Sequence, residues 1–411
     1  MQIVNICPTS KAHGKLTAIL CLVVLACIFV AGLWPFHAPR NAVDWLQQGN
    51  GLRFARHGSV VSAAAFRSIG SLAGTGHSLE IRLSPARIRG GAILAFDSSS
   101  DPRSPFVLRQ YGTSIALQRY LVDSEGNVTQ PWFRVDHIFK ATEPVFLTMT
   151  SDQSHVELYK NGLRAGTYLG PGIKSGELTG RLVLANSTID DSWQGQISGL
   201  AIYDYELTAA QVTQHYRTWA PGHGPDVTGE RSPVALYSFN EGSGDIVHNV
   251  IDSATNLTIP ANYFVLHPAF LRSTWDQYAA TRKIWTHWGF WQDLGVNVLG
   301  FVPVGFVFLA YFSSVKPIKH AALAVIVLGF CLSFTVEALQ RLLPNRDSGM
   351  TDLFTNTAGT ALGVLWYQSS AAKQLWMRLI KLLLDISPSR VKEKFEERPA
   401  PPQEQKLTLS A

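Results

Sequence analysis

The stretch Asp293-Leu-Gly-Val-Asn297-Val-Leu-Gly300 is repeated almost unchanged as Asp352-Leu-Phe-Thr-Asn356-Thr-Ala-Gly359, and each copy opens an apolar segment. Spacings of four and seven residues place the acid, the amide and the glycine on one face of a helix. Ionisable side chains within membrane helices are costly and usually face a bundle interior or a cavity. The repeat therefore predicts two membrane helices whose acids belong to one polar site.

Four segments are apolar enough to be interpreted as membrane helices, at 16–36, 291–313, 321–340 and 351–369. The first follows Lys11 and Lys15, and its apolar run continues past Cys27 to Phe36. A lipoprotein would turn polar after its cysteine, so we interpret this segment as an uncleaved anchor, with a cleaved signal peptide as the alternative. Helices buried in a soluble domain are the alternative for the other three segments.

The distribution of basic residues orients these segments. Lys11 and Lys15 lie before the first, and Lys316 and Lys319 lie between the second and third. The region after Gln368 is also rich in lysine and arginine. By the positive-inside rule, both termini are predicted to be cytoplasmic and the region between the first two helices extracytoplasmic. Four further parts are predicted. Residues 1–15 form a cytoplasmic N-terminal tail, and residues 263–290 form an interfacial linker after the middle region. Residues 371–386 form an amphipathic interfacial helix, and residues 387–411 form a disordered cytoplasmic tail.

The middle region, 45–262, has the pattern of an all-β domain. Short alternating stretches such as Ser78-Leu-Glu-Ile-Arg-Leu83 are separated by turn signals such as Asn161-Gly162, and 208–218 favours one short helix. This alternation predicts an antiparallel β-sandwich. The region contains no cysteine, so it folds without disulfide bonds. The fold class expected is therefore mixed, with a four-helix transmembrane bundle into which an all-β jelly-roll sandwich is inserted.

The middle region resembles the concanavalin A-like, or laminin G-like, jelly-roll family. The resemblance rests on Val156-Glu-Leu-Tyr-Lys-Asn-Gly162, on Gly195 to Asp204 and on the helix from Leu207. The stretch from Val234 to Gly244 resembles the opening strand of that family but follows the helix, so we expect a circularly permuted domain. Permutation suits insertion between two membrane helices, because it brings the ends of the domain together.

The resemblance implies a glycan-binding, protein-binding or structural role for the sandwich, since this fold alone does not decide function. No convincing pair of acids on one strand supports hydrolase activity. We expect no cofactor. The alternative is calcium held by loop oxygens, although such residues more often form turns. The candidate calcium ligands are Asp97, Asp101, Asp190 and Asp191.

The C-terminal segments resemble the VanZ-like family of bacterial membrane proteins. The resemblance rests on the two repeated stretches, on Ser333-x-x-x-Glu337-x-x-Gln340 and on Pro344-x-Arg346. Trp34-Pro-Phe36 at the end of the first segment also fits. The inserted domain is a departure from the simplest members. The resemblance implies a location in the bacterial inner membrane and a link to cell-envelope polysaccharide or to the glycopeptide-antibiotic response.

The predicted topology places the polar groups of three helices at one depth, near the outer rim of the bilayer. Helix capping and helix–helix hydrogen bonding are the structural alternatives for any one of them. Capping does not explain Glu337 or Gln340, so a shared site is favoured for the set. The candidate site consists of Asp293, Asn297, Glu337, Gln340, Arg346, Asp352 and Asn356.

We therefore expect an envelope protein that binds a glycan or a protein through the sandwich. Its polar site would bind a membrane lipid head group or a lipid-linked saccharide. The alternative is an intramembrane enzyme with Glu337 or Asp352 as acid or base. A transporter is a third interpretation, and the oligomeric state stays open. No interleaved aromatic and basic patch suggests nucleic acid as a partner.

Overall fold

The computed structural model describes residues 8–67, 76–97, 106–122, 128–129, 131–187, 192–219, 230–265, 270–271, 288–343, 346 and 348–385. The chain forms two compact units. One unit comprises 35–272 together with 340–347 and contains the β-strands. The other comprises 1–34, 273–339 and 348–411 and is helical where it is described.

The first unit is an antiparallel sandwich of two eight-stranded sheets. Across the first sheet the order is β1 (Val43–Trp45), β2 (Leu52–Phe54), β15 (Gly195–Tyr203), β4 (His77–Pro85), β11 (Val145–Ser151), β12 (His155–Lys160) and β13 (Leu163–Leu169). Its eighth strand, β16 (Ala235–Tyr237), pairs with β15.

The order across the second sheet is β10 (Trp132–Val135), β7 (Ser114–Arg119), β6 (Phe106–Tyr111), β5 (Gly91–Asp97), β14 (Arg181–Leu184), β3 (Val60–Ser62), β18 (Leu257–Thr258) and β17 (Ile246–Val247). A separate short pair is formed by β8 (Leu121–Val122) and β9 (Val128–Thr129). The all-β sandwich expected from the sequence is confirmed.

The core of the sandwich follows from alternation along the strands. On β4, Leu79, Ile81 and Leu83 enter the main apolar cluster between the sheets. The intervening Glu80 and Arg82 lie on the opposite face of the same strand, because successive side chains of a strand alternate. The hairpin between β12 and β13 turns at Asn161 and Gly162, whose φ angles are 52° and 78°. Two consecutive positive φ angles are typical of the type I′ turn that Asn-Gly favours.

One helix, α2 (Ala209–Thr218), covers the outer face of the first sheet. It begins with a capping box in which Thr208 and Gln211 satisfy each other's backbone N–H groups. Val212 of this helix and Trp219 just after it pack against Phe146 and other side chains of the sheet. The helix therefore closes a second apolar cluster outside the main core.

The ends of the sandwich lie side by side. Asn41 N donates to Ala261 O at 3.1 Å, and Tyr263 N donates to Pro39 O at 2.9 Å. The last strands complete both sheets, since β16 pairs with β15 and β18 pairs with β3. Adjacent ends suit a domain inserted between two helices. Circular permutation stays a prediction.

Five described helices make up most of the second unit. They are α1 (Pro8–Leu33), α3 (Trp288–Ser314), α4 (Ala321–Gln340), α5 (Met350–Gln368) and α6 (Ser370–Asp385). Three described stretches are long and apolar enough to cross a membrane: Ala12–Leu33, Phe290–Ser314 and Ala321–Gln340. Helix α5 does not meet this criterion, because its 19 residues include Asp352, Asn356 and several threonines. Apolar helices are therefore observed, whereas the four-helix transmembrane bundle stays a prediction.

Helix α6 has two apolar faces. Ala372, Trp376 and Ile380, spaced four residues apart, are buried, and the Trp376 ring lies 5.6 Å from that of Phe306 on α3. A second face, which includes Leu375 and Leu382, is exposed. The first face packs the helix onto its own unit, and the interfacial position of the helix stays a prediction. The flanking 1–7, most of 263–290 and 386–411 lie outside the described residues.

Candidate polar site in the apolar helices

Glycines bring the backbones of α3 and α5 into direct contact. A Cβ atom on Gly359 would lie 2.1 Å from the carbonyl oxygen of Val298, and one on Gly363 would lie 2.0 Å from that of Val302. Gly305 on α3 approaches α5 equally closely. Small residues allow such approach in membrane helices. The two repeated stretches of sequence therefore lie on helices that touch at their backbones.

Gly300 does not share this role. A Cβ atom there would meet nothing within 4 Å. The matching position of Gly300 in the repeat therefore does not give it the packing role of Gly359. Gly329 on α4, which the sequence did not single out, packs instead against the side chain of Thr360.

The close approach joins the two repeats through a hydrogen bond. Asn297 Nδ2 on α3 donates to Asp352 Oδ1 on α5 at 2.8 Å. Asp352 also lies in the first turn of α5, where a carboxylate is stabilised by the positive end of the helix dipole. The amide of the first repeat thus pairs with the acid of the second.

Asn356, one turn further along α5, connects this pair to α4. Its Nδ2 donates to Ser333 Oγ at 3.0 Å, and its backbone oxygen accepts from Thr360 Oγ1 at 3.0 Å. Asn356 is only 4% exposed, and its Oδ1 has no hydrogen-bond partner. Buried polar atoms are nearly always hydrogen-bonded, so this orphaned acceptor calls for a donor.

Glu337 lies one turn after Ser333, near the end of α4. The residue is 2% exposed, and its Oε2 accepts a hydrogen bond from the backbone N of Gly349 at 2.9 Å. Gly349 is the residue that caps the start of α5. The carboxylate therefore ties the end of α4 to the beginning of α5.

These groups form one polar cluster on three helices. Its members are Asn297, Ser333, Glu337, Asp352, Asn356 and Thr360. The sequence missed Ser333 and Thr360 as site residues, although the spacing of four from Ser333 to Glu337 and from Asn356 to Thr360 would have indicated both. The cluster offers carboxylate and amide oxygens, which are acceptors for hydroxyl or amine donors.

The part that the other three predicted residues play in this cluster stays a prediction. Asp293 is exposed on α3, one turn before Asn297. Gln340 ends α4, and Arg346 is partly buried, but both belong to the unit of the sandwich. The helical unit thus assembles Asn297, Glu337, Asp352 and Asn356 of the seven predicted residues.

The sandwich contains a buried polar network that the sequence did not indicate. Glu80 and His215 are fully buried, and Glu80 Oε2 lies 3.0 Å from His215 Nδ1 and 2.8 Å from the hydroxyl of Tyr203. The other ring nitrogen of His215 lies 3.2 Å from Glu230 Oε2. Burial lowers the pKa of His215, but the two carboxylates outweigh burial and raise it above its ordinary value. This arrangement stabilises an imidazolium ion on the buried side of helix α2.

A second buried ion pair lies inside the sandwich. Arg119 Nε and Nη2 donate to the two carboxylate oxygens of Glu177 at 2.6 Å each, and both side chains are almost fully buried. Arg119 also donates to the carbonyl oxygens of Pro171 and Gly172. The fork of the guanidinium is therefore satisfied by one carboxylate and two carbonyls, as a buried charge requires.

Calcium binding by the sandwich stays a prediction. Asp101, Asp190 and Asp191 lie outside the described residues, as does the side chain of Asp97. Within the described part of the chain, no group of three His, Cys, Asp or Glu side chains is arranged to hold a metal ion.

Family comparisons support the two resemblances. Residues 238–372 match the model of the VanZ/LLP1 family. Residues 57–213 match the model of the concanavalin A-like lectin/glucanases superfamily. Both resemblances, and the order in which the two regions occur, are confirmed. No curated protein matches the chain.

Solved structures resemble part of the chain at low sequence identity. A candidate carbohydrate binding protein from Bacteroides ovatus is 12% identical over 54% of this chain and 58% of its own, with a TM-score of 0.36. A pentraxin from Limulus polyphemus is 16% identical over 54% of this chain and 93% of its own, with a TM-score of 0.32. A Ruminococcus gnavus sialidase module bound to sialyllactose is 10% identical over 40% of this chain and 95% of its own, with a TM-score of 0.31. At such identities and scores, what these proteins bind says nothing by itself about this chain.

Proposed function

We propose that this chain is a bacterial envelope protein, anchored in the cytoplasmic membrane, that binds carbohydrate through its sandwich. Its polar cluster binds the head group of a lipid, and a lipid-linked saccharide fits best. The superfamily match of the sandwich supports carbohydrate binding. The VanZ-like match and the three apolar helices support the membrane location.

The observation that carries the proposal is the burial of carboxylate and amide groups in otherwise apolar helices. Glu337 is 2% exposed and Asn356 is 4% exposed, with an acceptor oxygen that has no partner. Polar groups in this environment are costly and are retained mainly where they serve a function. Hydroxyl groups of a saccharide are the donors that carboxylate and amide acceptors bind.

Helix capping and helix packing are the competing explanation. Asp352 occupies the first turn of α5, and Asn297 satisfies one of its oxygens. This explanation accounts for the Asn297–Asp352 pair but leaves the Asn356 oxygen without a role. A bound ligand that donates a hydrogen bond to the Asn356 oxygen gives that oxygen a role as well.

The test is to purify the full chain in nanodiscs that retain native lipids and to identify the bound lipids by mass spectrometry. We expect a lipid-linked saccharide to be enriched in the wild-type protein and lost in Glu337→Gln and Asp352→Asn. Asp293→Asn is the matched control, because it removes an exposed acid from α3. Equal lipid content in all four proteins, with folding intact, would reduce the polar cluster to a packing device.

The same preparation tests the enzymatic alternative, in which Glu337 or Asp352 acts as general acid or base. A bound lipid that is recovered intact after prolonged incubation supports binding alone. Cleavage that stops in Glu337→Gln would support catalysis instead.

A further inference from the structure

We infer that a cavity at the end of helix α2 binds a saccharide carrying an anionic group, such as a uronate or a sugar phosphate. The inference rests on the proposed carbohydrate binding by the sandwich and assigns it a place and a ligand class. The cavity measures about 490 Å³, within the range of small-molecule sites. Its described lining consists of Arg82, Pro144, Val145, Phe146, Asn161, Tyr216, Arg217 and Trp219.

The polar side chains of the lining are hydrogen-bond donors. Arg82 uses Nη1 to bind the backbone oxygen of Trp219 at 3.1 Å, which leaves its other N–H groups available. Asn161 uses its Oδ1 to accept from Phe146 N at 2.9 Å, so its NH₂ group is left as a donor. The indole Nε1 of Trp219 is buried over Gly199 of β15 and is not counted among these donors. A ligand here must supply acceptor oxygens.

The charge of the lining is positive. Arg82 and Arg217 are its two ionised residues, and neither is within 4 Å of a carboxylate in the described part of the chain. Elsewhere in the sandwich, arginines such as Arg119, Arg164 and Arg231 are paired with acids. Two arginines without acids at one cavity favour a carboxylate or a phosphate, which a guanidinium binds through charge-assisted hydrogen bonds.

Aromatic rings supply the surface for a sugar ring. The Phe146 ring lies 5.3 Å from that of Trp219 and 5.9 Å from that of Tyr216. Tyr216 is 43% exposed, so part of its ring is available to a ligand, whereas Phe146 and Trp219 are buried behind it. An amphipathic aromatic ring beside guanidinium groups suits an acidic pyranose better than a simple anion, because the apolar face of the sugar is also covered.

Binding is measured by calorimetry on the full chain in detergent, with glucuronate, glucose 6-phosphate, glucose and inorganic phosphate as probes. We expect glucuronate or glucose 6-phosphate to bind and glucose and phosphate to bind at least tenfold more weakly. The tighter of the two ligands, glucuronate or glucose 6-phosphate, shows whether the site prefers a uronate or a sugar phosphate. Inorganic phosphate binding as tightly as glucose 6-phosphate would overturn the saccharide assignment, and no binding by either acidic sugar would overturn the site.

Variants locate the site. Arg217→Gln removes an exposed side chain without disturbing the core and should weaken binding by about tenfold or more. Arg82→Gln should act in the same direction, and Arg56→Gln, an exposed arginine outside the cavity, should leave binding unchanged. Binding that is equal in Arg217→Gln, Arg82→Gln and wild type would overturn the assignment.

A further variant separates this inference from the proposed function. Trp132 and Tyr111 form an exposed aromatic pair on the second sheet, with ring centroids 6.4 Å apart. If glycan-array binding of the full chain is lost in Trp132→Ala but kept in Arg217→Gln, carbohydrate binding stands and the cavity is the wrong place. If the wild-type chain binds no glycan and no acidic sugar, both proposals fail.

Discussion

His215 is the residue whose charge the sandwich controls most directly. Its imidazole lies between Glu80 and Glu230, and these carboxylates raise its pKa in the folded state despite burial. A raised folded-state pKa contributes stability that is fully present below the unfolded value of about 6.5 and is lost as pH rises through the folded value. We therefore expect the stability advantage of the wild type over His215→Gln to be greatest near pH 6 and to shrink toward pH 9.

The measurement is denaturant unfolding of the full chain in detergent across that pH range. Unfolding can be followed by fluorescence, because Trp193 and Trp219 are buried in the sandwich. His248→Gln, at an exposed histidine, is the control. An advantage that is constant with pH, or that grows as pH rises, would contradict the stabilised imidazolium.

Because Arg119 and Glu177 form a buried ion pair, we expect the replacement of one of them to lower the free energy of unfolding more than the replacement of both. Arg119→Met leaves a buried carboxylate without its partner, which costs about 3–5 kcal/mol. The double variant Arg119→Met, Glu177→Leu should be less destabilised than either single variant, because no buried charge is left over. Arg53→Gln, which breaks an exposed pair with Asp44, should cost at most about 1 kcal/mol.

Denaturant midpoints of the wild type, the two single variants, the double variant and Arg53→Gln decide this prediction. A double variant as unstable as the sum of the two single variants would mean that the two side chains contribute independently, which would contradict a penalty that comes from a lone buried charge.

At the residue scale, the sequence indicated partners that share a repeated motif better than partners that share none. The repeated Asp-x-x-x-Asn pattern pointed to Asn297 and Asp352 because both copies lie on one helical face. Nothing local connected Glu80 to His215 or Arg119 to Glu177, which are separated by 135 and 58 positions. A single sequence contains no signal for such pairs, because only the fold brings them together.

The contact between helices α3 and α5 depends on glycine. A Cβ atom on Gly359 would lie 2.1 Å from the carbonyl oxygen of Val298, so Gly359→Ala must force the helices apart. Overpacking of this kind costs about 1–3 kcal/mol. Gly300→Ala is the matched control, since it adds the same methyl group to α3 in open space and raises helix propensity by up to about 1 kcal/mol.

Unfolding in mixed SDS and detergent micelles, followed by circular dichroism, measures both variants. We expect Gly359→Ala to unfold at a lower SDS fraction than the wild type and Gly300→Ala at an equal or higher one. Equal destabilisation by both would show that α3 and α5 do not touch at Gly359.

At the element scale, strands and apolar helices were predictable because their patterns are periodic. The alternation of Leu79, Ile81 and Leu83 fixed which face of β4 enters the core. The role of Gly300 was not predictable in the same way. A glycine at the expected spacing indicates a face of a helix, but whether a neighbour lies there depends on packing.

At the scale of the whole molecule, the number of membrane crossings decides on which side the C-terminus lies. Three described stretches are apolar enough to span, and α5 is more polar than these. With α1, α3 and α4 alone, the two termini would lie on opposite sides. The region after Gln368 is rich in lysine and arginine, which favours the cytoplasm, so we predict that α5 crosses as a fourth span.

Cysteine labelling tests this topology. In a background without Cys7, Cys21, Cys27 and Cys331, we would place single cysteines at Arg56 in the sandwich and at Ser410 in the tail. We expect a membrane-impermeant maleimide to label position 56 in intact spheroplasts and position 410 only after permeabilisation. Labelling of position 410 in intact spheroplasts would instead show three spans. Asp352 and Asn356 would then lie on a helix that does not cross the membrane. The lipid-binding proposal rests on the free-energy cost of placing these polar groups inside the membrane, and that cost would be absent.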